Sequence, residues 1–158
     1  MKLHKDLREF IELLNSEKVK YLIAGGFAVG FHGHVRNTGD VDIFLEASPE
    51  NAVKVETVIR RFGFASTGLN RHDFEQPDVI IQLGRPPGRI DLVTSLTSLG
   101  FEEAWRERVG ATLDGVPVAF LSLEHLILNK KAAGRPKDLA DVDALTVAER
   151  RPSPKPRS

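Results

Sequence analysis

Asp40 and Asp42 flank Val41 in Asp40-Val41-Asp42-Ile43-Phe44-Leu45, a short distance after the glycine pair of Ala24-Gly25-Gly26-Phe27. If Val41, Ile43 and Leu45 face a core, the two-residue period of a strand sends both carboxylates to the other face, with Cβ atoms roughly 6–7 Å apart. Carboxylates that close share a proton or bind cations. Hard oxygen ligands beside a glycine turn that can cradle phosphate point to magnesium and so to nucleotide chemistry. Asp91 is a third such acid, alone among apolar neighbours in Ile90-Asp91-Leu92-Val93, where burial without a cation is costly. Three acids on two neighbouring strands can hold two magnesium ions about 3.5–4 Å apart, the spacing that clamps the attacking and leaving oxygens of a phosphoryl displacement. Bland readings stand beside each: an ordinary glycine turn, a solvated acidic face, and a salt bridge from Asp91 to Arg89 or Arg85.

These residues need elements to place them. Leu3, Leu7, Phe10, Ile11 and Leu14 recur at helical spacing and predict an opening amphipathic helix to about Ser16. Val19 to Ala24, the glycines and Phe27 to His32 read as strand, turn and helix, an arrangement that offers backbone N–H groups to an anion. The acidic strand follows a polar loop. Ser48-Pro49-Glu50 then starts a helix, with Ser48 as N-cap and Pro49 in the first position, and Gly63 ends it. Val79 to Leu83 and Arg89 to Val93 form a hairpin around Gly84 to Gly88. Phe101 to Val109 predicts a short helix, and Ala111 to Leu121 a strand pair turning at Asp114-Gly115. Ser122 opens a helix to Ala133, Gly134 closes it, and Pro136 begins a last helix through Leu145. The fold class is therefore α/β or α+β, a mixed sheet flanked by helices with helices at the C-terminus, not a doubly wound parallel sheet.

At 158 residues and 41% apolar content the chain has room for one domain, expected over residues 1–149, with the proline-rich basic stretch 150–158 as a disordered tail. Lysines plus arginines equal aspartates plus glutamates at 22 each, which disfavours a long nucleic acid as partner. A local rim of Arg60, Arg61, Arg71, Arg85 and Arg89 leaves an RNA end open. With no cysteine there is no disulfide, thiolate-zinc site or cysteine nucleophile. Without an apolar run of about 18 residues or a leader-like N-terminus, the expectation is a cytoplasmic protein with no membrane partner.

Within the helix from Ser122, Leu123, Leu126 and Ile127 lie three, four or seven positions before Lys130, which puts Lys130 on the inward stripe and Lys131 on the flank. An inward lysine needs an anion, and Lys130 is the candidate for a triphosphate; the plainer reading is a core-edge lysine with a buried stem. Arg36 and Thr38, just before Asp40, are candidates for contacting phosphate or orienting that acid, and Arg36 for capping a turn. Asp138 and Asp141 share a helix face that can meet Lys130 and Arg135 in an ion-pair network. His32 and His34 read as polar loop groups and not as metal ligands.

Taken together, Gly25-Gly26-Phe27-Ala28-Val29, Arg36-x-Thr38-x-Asp40-Val41-Asp42-Ile43, the lone Asp91 and the run from Asn129 to Asp141 resemble the DNA polymerase β-like nucleotidyltransferase superfamily, in particular its small single-domain bacterial and archaeal members. The resemblance covers about residues 19 to 146. It implies that Gly25 and Gly26 hold a triphosphate, that Asp40 and Asp42 bind both metals, and that Asp91 completes the catalytic metal site and assists deprotonation of the acceptor. The activity implied is magnesium-dependent transfer of a nucleoside monophosphate from a nucleoside triphosphate to an acceptor hydroxyl, with manganese as a possible substitute ion. The acceptor is open between a small molecule, a protein side chain and an RNA end. Two other functions also fit: a non-catalytic nucleotide-binding regulatory module, such as a toxin–antitoxin component, and an interaction protein whose acids form a structural ion-pair cluster.

Overall fold

The computed structural model describes residues 3–34, 39–64, 68–85 and 88–149. Arg36 and Thr38 lie outside the described residues, as does the stretch 150–158. The elements run α1 (Lys5–Ser16), β1 (Tyr21–Ala24), α2 (Gly25–Phe31), β2 (Asp40–Leu45), α3 (Pro49–Phe62), a 3-10 turn (Arg71–Phe74), β3 (Ile80–Leu83), β4 (Arg89–Val93), α4 (Phe101–Arg106), β5 (Val109–Leu113), β6 (Val116–Phe120), α5 (Leu123–Ala133) and α6 (Pro136–Glu149).

One six-stranded mixed sheet, in the order β3-β4-β2-β1-β6-β5, organises the molecule. β2 pairs antiparallel with β1 and parallel with β4, so the acidic strand is central. The apolar periods behave as their spacing demands. Leu7, Phe10, Ile11 and Leu14 bury one stripe of α1, and Phe10 meets Phe62 of α3 edge-on at 5.2 Å. Val41, Ile43 and Leu45 are buried, as are Ile90 and Leu92 on β4.

Local chemistry sets the ends of the elements. Ser48 accepts from the Asn51 amide with Pro49 in the first turn of α3, and Ser122 accepts from His125 at the start of α5. Asp114 and Gly115, both at positive φ, form the tight turn between β5 and β6, the conformation a two-residue hairpin loop favours.

Several boundaries differ from the sequence expectation. α2 begins at Gly25 itself and not at Phe27. β1 is shorter, starting at Tyr21 because Lys18 turns the chain at positive φ. α4 stops at Arg106, since Val109 is drawn into β5, and α6 runs on past Leu145 to Glu149. The 3-10 turn was not expected. Asn70 and Asp73 close it with reciprocal side-chain-to-backbone hydrogen bonds.

Candidate active site

Strand register builds the acidic centre. Ala24 pairs with Asp42, Asp42 with Asp91 and Asp91 with Gln82, so one row runs across four strands on a single face of the sheet. Asp40 lies two residues before Asp42 on that face, opposite Arg89. One carboxylate oxygen from each of Asp40, Asp42 and Asp91 lies within 4.8 Å of the other two. Asp91 is buried, and Asp40 and Asp42 are half-buried.

Such crowding has an electrostatic cost. Burial, with Asp40 and Asp91 adding to it, pushes the Asp42 carboxyl up to about 6, against the opposing pull of Lys130 and Lys137. Burial also raises Asp91, opposed by the hydrogen bonds from Arg89. These hard oxygen donors, held together by the backbone and incompletely neutralised, fit a divalent cation such as magnesium.

Gly25 explains how the glycine turn belongs to the acids. It sits at φ +61°, and a β-carbon on it would overlap the Asp42 carboxylate. Any side chain here would be strained by that φ and would force the Asp42 carboxylate aside. Gly25→Ala should therefore lose transfer and about 1–3 kcal/mol of stability through combined strain and displacement of Asp42. Gly30→Ala, inside α2 with open space around its would-be β-carbon, should be neutral or slightly stabilising. Thermal unfolding of the two variants makes the comparison, and equal effects would show that Gly25 has no special place.

A cavity of about 320 Å³ opens beside the triad. Ala24, Gly25, Gly26, Asp40 and Asp42 form one wall, and Asn129, Lys130, Arg135, Lys137 and Asp138 from α5 and α6 form the other. Lys130 is 5% exposed, whereas Lys131 is exposed. The Lys130 ammonium donates to Asp141 Oδ2 at 2.9 Å and Asp138 Oδ1 at 3.2 Å, and Asp138 also accepts from Arg135 at 2.7 Å. Although burial opposes its ionisation, the bonds from Arg135 and Lys130 hold the Asp138 carboxyl below its ordinary range.

Three features were not read from the sequence. Lys137 and Asn129 line the cavity, which their neighbours Lys130 and Asp138 on the same two helices could have signalled. Arg89 makes the salt bridge to Asp91 that the plainer reading named, and it also reaches Asp40, a contact that no local spacing signalled. His32 is more than a polar loop group: its Nε2 lies 2.8 Å from the Leu121 carbonyl, tying the end of α2 to the end of β6, and burial lowers its pKa. Three arginines of the expected rim are engaged by acids. Arg60 pairs with Glu56, Arg61 with Glu17, and Arg89 with the triad.

A mixed sheet carrying three convergent acids, a glycine turn packed on one of them and a cation-lined cavity alongside defines a nucleotidyltransferase fold. The chain belongs to a family described as nucleotidyltransferases of unknown function (DUF6036), whose model matches residues 1–151. Solved structures share the architecture. TM1012 of Thermotoga maritima, assigned as a nucleotidyltransferase, is 18% identical with a TM-score of 0.61 over 91% of each chain. ANT(2")-Ia in complex with adenylyl-2"-tobramycin is 14% identical with a TM-score of 0.58, covering 90% of this chain and 87% of the other. The lincosamide antibiotic adenylyltransferase LnuA, lincomycin-bound, is 17% identical with a TM-score of 0.56, covering 93% and 98%. No curated protein matches significantly in sequence. No helix among the described residues is long and apolar enough to cross a membrane.

Proposed function

We propose that this nucleotidyltransferase is magnesium-dependent and moves a nucleoside monophosphate from a nucleoside triphosphate to the hydroxyl of a small molecule. The observation that carries this reading is the convergence of Asp40, Asp42 and Asp91 at the edge of a cavity whose far wall bears Lys130, Arg135 and Lys137. Asp40 and Asp42 would hold two magnesium ions, with Asp91 completing one of the sites. The metal supplies charge neutralisation at the transferring phosphate. In the cavity, the Gly25 and Gly26 amides and Lys130 hold the triphosphate, so that the protein's main contribution is alignment of the reacting groups. The same role for Arg36 and Thr38 stays a proposal from sequence.

The row across the sheet gives the site a direction. Ala24 and the glycines line the cavity on one side of Asp42, Val93 and Leu96 line it on the side of Asp91, and Gln82 follows Asp91 in the row. In this reading nucleotide fills the part of the cavity beside the glycines and Lys130, and the acceptor hydroxyl approaches over Asp91, which takes its proton. A small acceptor is favoured by the architecture shared with ANT(2")-Ia and LnuA, whose structures hold an adenylylated aminoglycoside and lincomycin. The balanced charge, and the pairing of Arg60 and Arg61 with glutamates, also weigh against nucleic acid.

Incubation with each α-labelled triphosphate, magnesium and cell extract tests the proposal. Label should appear on a small molecule, with pyrophosphate released. Label on protein or RNA would change the acceptor class, and bound nucleotide without pyrophosphate would favour a regulatory module. Asp91→Ala should keep magnesium-triphosphate binding within a few-fold by calorimetry yet lose transfer. A loss of binding as large as that of Asp42→Asn would contradict the division of roles.

A further inference from the structure

We propose that Arg89 is the built-in counter-cation of the acid triad, which a divalent metal must displace to bind. This inference rests on the metal-binding reading of Asp40, Asp42 and Asp91. Arg89 Nε donates to Asp91 Oδ1 at 3.0 Å, while Nη2 donates to Asp91 Oδ2 at 3.1 Å and to Asp40 Oδ2 at 2.8 Å. One planar fork thus engages both oxygens of one acid and one oxygen of another, a geometry that guanidinium matches and ammonium does not. Asp42 stays outside these bonds.

The contacts fall on the lone pairs a metal needs. A magnesium ion shared by Asp40 and Asp91 would sit about 2.1 Å from carboxylate oxygens, too close for an N–H donor to keep the same direction of approach. Two cations in that space also repel each other. Arg89 can nevertheless leave without disrupting the core. Its side chain is 30% exposed, against 9% for Asp91, so solvent already reaches the arginine that holds the buried acid.

The charge balance explains why such a residue is useful. Three crowded carboxylates would repel one another whenever metal is absent, and an arginine two residues before Asp91 on the same strand face holds Asp91 and Asp40 together at no cost in register. What it stabilises in the empty site it must surrender in the loaded one. Arg89 therefore sets the metal concentration at which the site fills.

Manganese binding, followed by the paramagnetic resonance of free Mn²⁺, and thermal unfolding in chelator test this in the wild type, Arg89→Gln, Arg89→Lys and Asp42→Asn. Arg89→Gln should bind Mn²⁺ at least about tenfold more tightly than wild type. It should also unfold at lower temperature in chelator and regain that loss when Mn²⁺ is added. Arg89→Lys, which keeps the charge but not the fork, should fall between. If Arg89 were only a structural brace, Arg89→Gln would be destabilised equally with and without metal, and Mn²⁺ affinity would stay level or fall; either result overturns the proposal. If wild type and Asp42→Asn bind Mn²⁺ alike, the metal-binding reading itself fails and this inference goes with it.

Discussion

Lys130→Ala should destabilise the protein by about 3–5 kcal/mol, because it leaves the buried Asp138 and Asp141 carboxylates without their shared cation. The corresponding fall in melting temperature is roughly 10 °C or more for a chain of this size. Arg135 reaches Asp138 from a largely exposed position, where a solvated guanidinium makes up only part of the loss of a buried ammonium. Lys131→Ala, one residue along and exposed, should change stability by no more than about 0.5 kcal/mol. Asp141→Asn in the Lys130→Ala background should recover part of the loss, since it removes one of the two buried charges that Lys130 had neutralised. A Lys130→Ala protein as stable as wild type would show that the pairs contribute nothing.

The same lysine has a second expected effect. An ammonium has three N–H donors, and Asp138 and Asp141 take two of them, leaving one for the cavity that Lys130 lines. Losing that charge-assisted contact should weaken triphosphate binding by roughly ten- to a hundredfold, measured at a temperature where the variant remains folded. Lys131→Ala should bind triphosphate as wild type does. Equal losses at the two positions would mean that Lys130 acts only as the hub of an ion-pair network.

What was legible in the chain divides along a physical line between local and long-range information. The period of two placed Asp40 and Asp42 on one face, and single acids inside apolar strands identified Asp91, because the cost of burying a carboxylate acts on each strand separately. Caps were equally local, as Ser48, Pro49 and Ser122 show. The start of α2 was misplaced because two glycines argue against a helix on propensity. The reason for Gly25 is the Asp42 carboxylate on the neighbouring strand, which no local pattern contains. The partners of Lys130 lie across the Gly134 turn in the next helix, yet the one-turn spacing of Asp138 and Asp141 was enough to name them as its ion-pair network, and both pairs are present. Arg89 was legible in part, as a salt-bridge partner of Asp91. Its face was readable from strand period, yet only the parallel pairing of β2 with β4 brings it to Asp40 as well as Asp91.

Asp42→Asn should abolish transfer and, in the absence of metal, make the protein more stable at neutral pH. In the fold the Asp42 carboxyl titrates near 6, against an ordinary value of 3.8, chiefly because it is buried and then because Asp40 and Asp91 face it. A pKa raised by folding means that the folded state favours the protonated acid. The contribution of Asp42 is therefore most favourable below about pH 4, is lost as the pH rises through 6, and is fully lost at pH 7.5. The two-unit shift corresponds to about 2–3 kcal/mol. Asparagine cannot ionise and avoids that cost. In chelator at pH 7.5 the variant should melt about 5–10 °C above wild type, and the gap should close as the pH is lowered towards 4. Magnesium should reverse the order by stabilising wild type and leaving the variant unchanged, since one of the acids that would hold it is gone. Melting curves at pH 4.5, 6 and 7.5, each with chelator and with magnesium, decide the matter together with a transfer assay. A variant that transfers at the wild-type rate, or that is no more stable than wild type in chelator at pH 7.5, would show that Asp42 carries neither the charge burden nor the chemistry assigned to it.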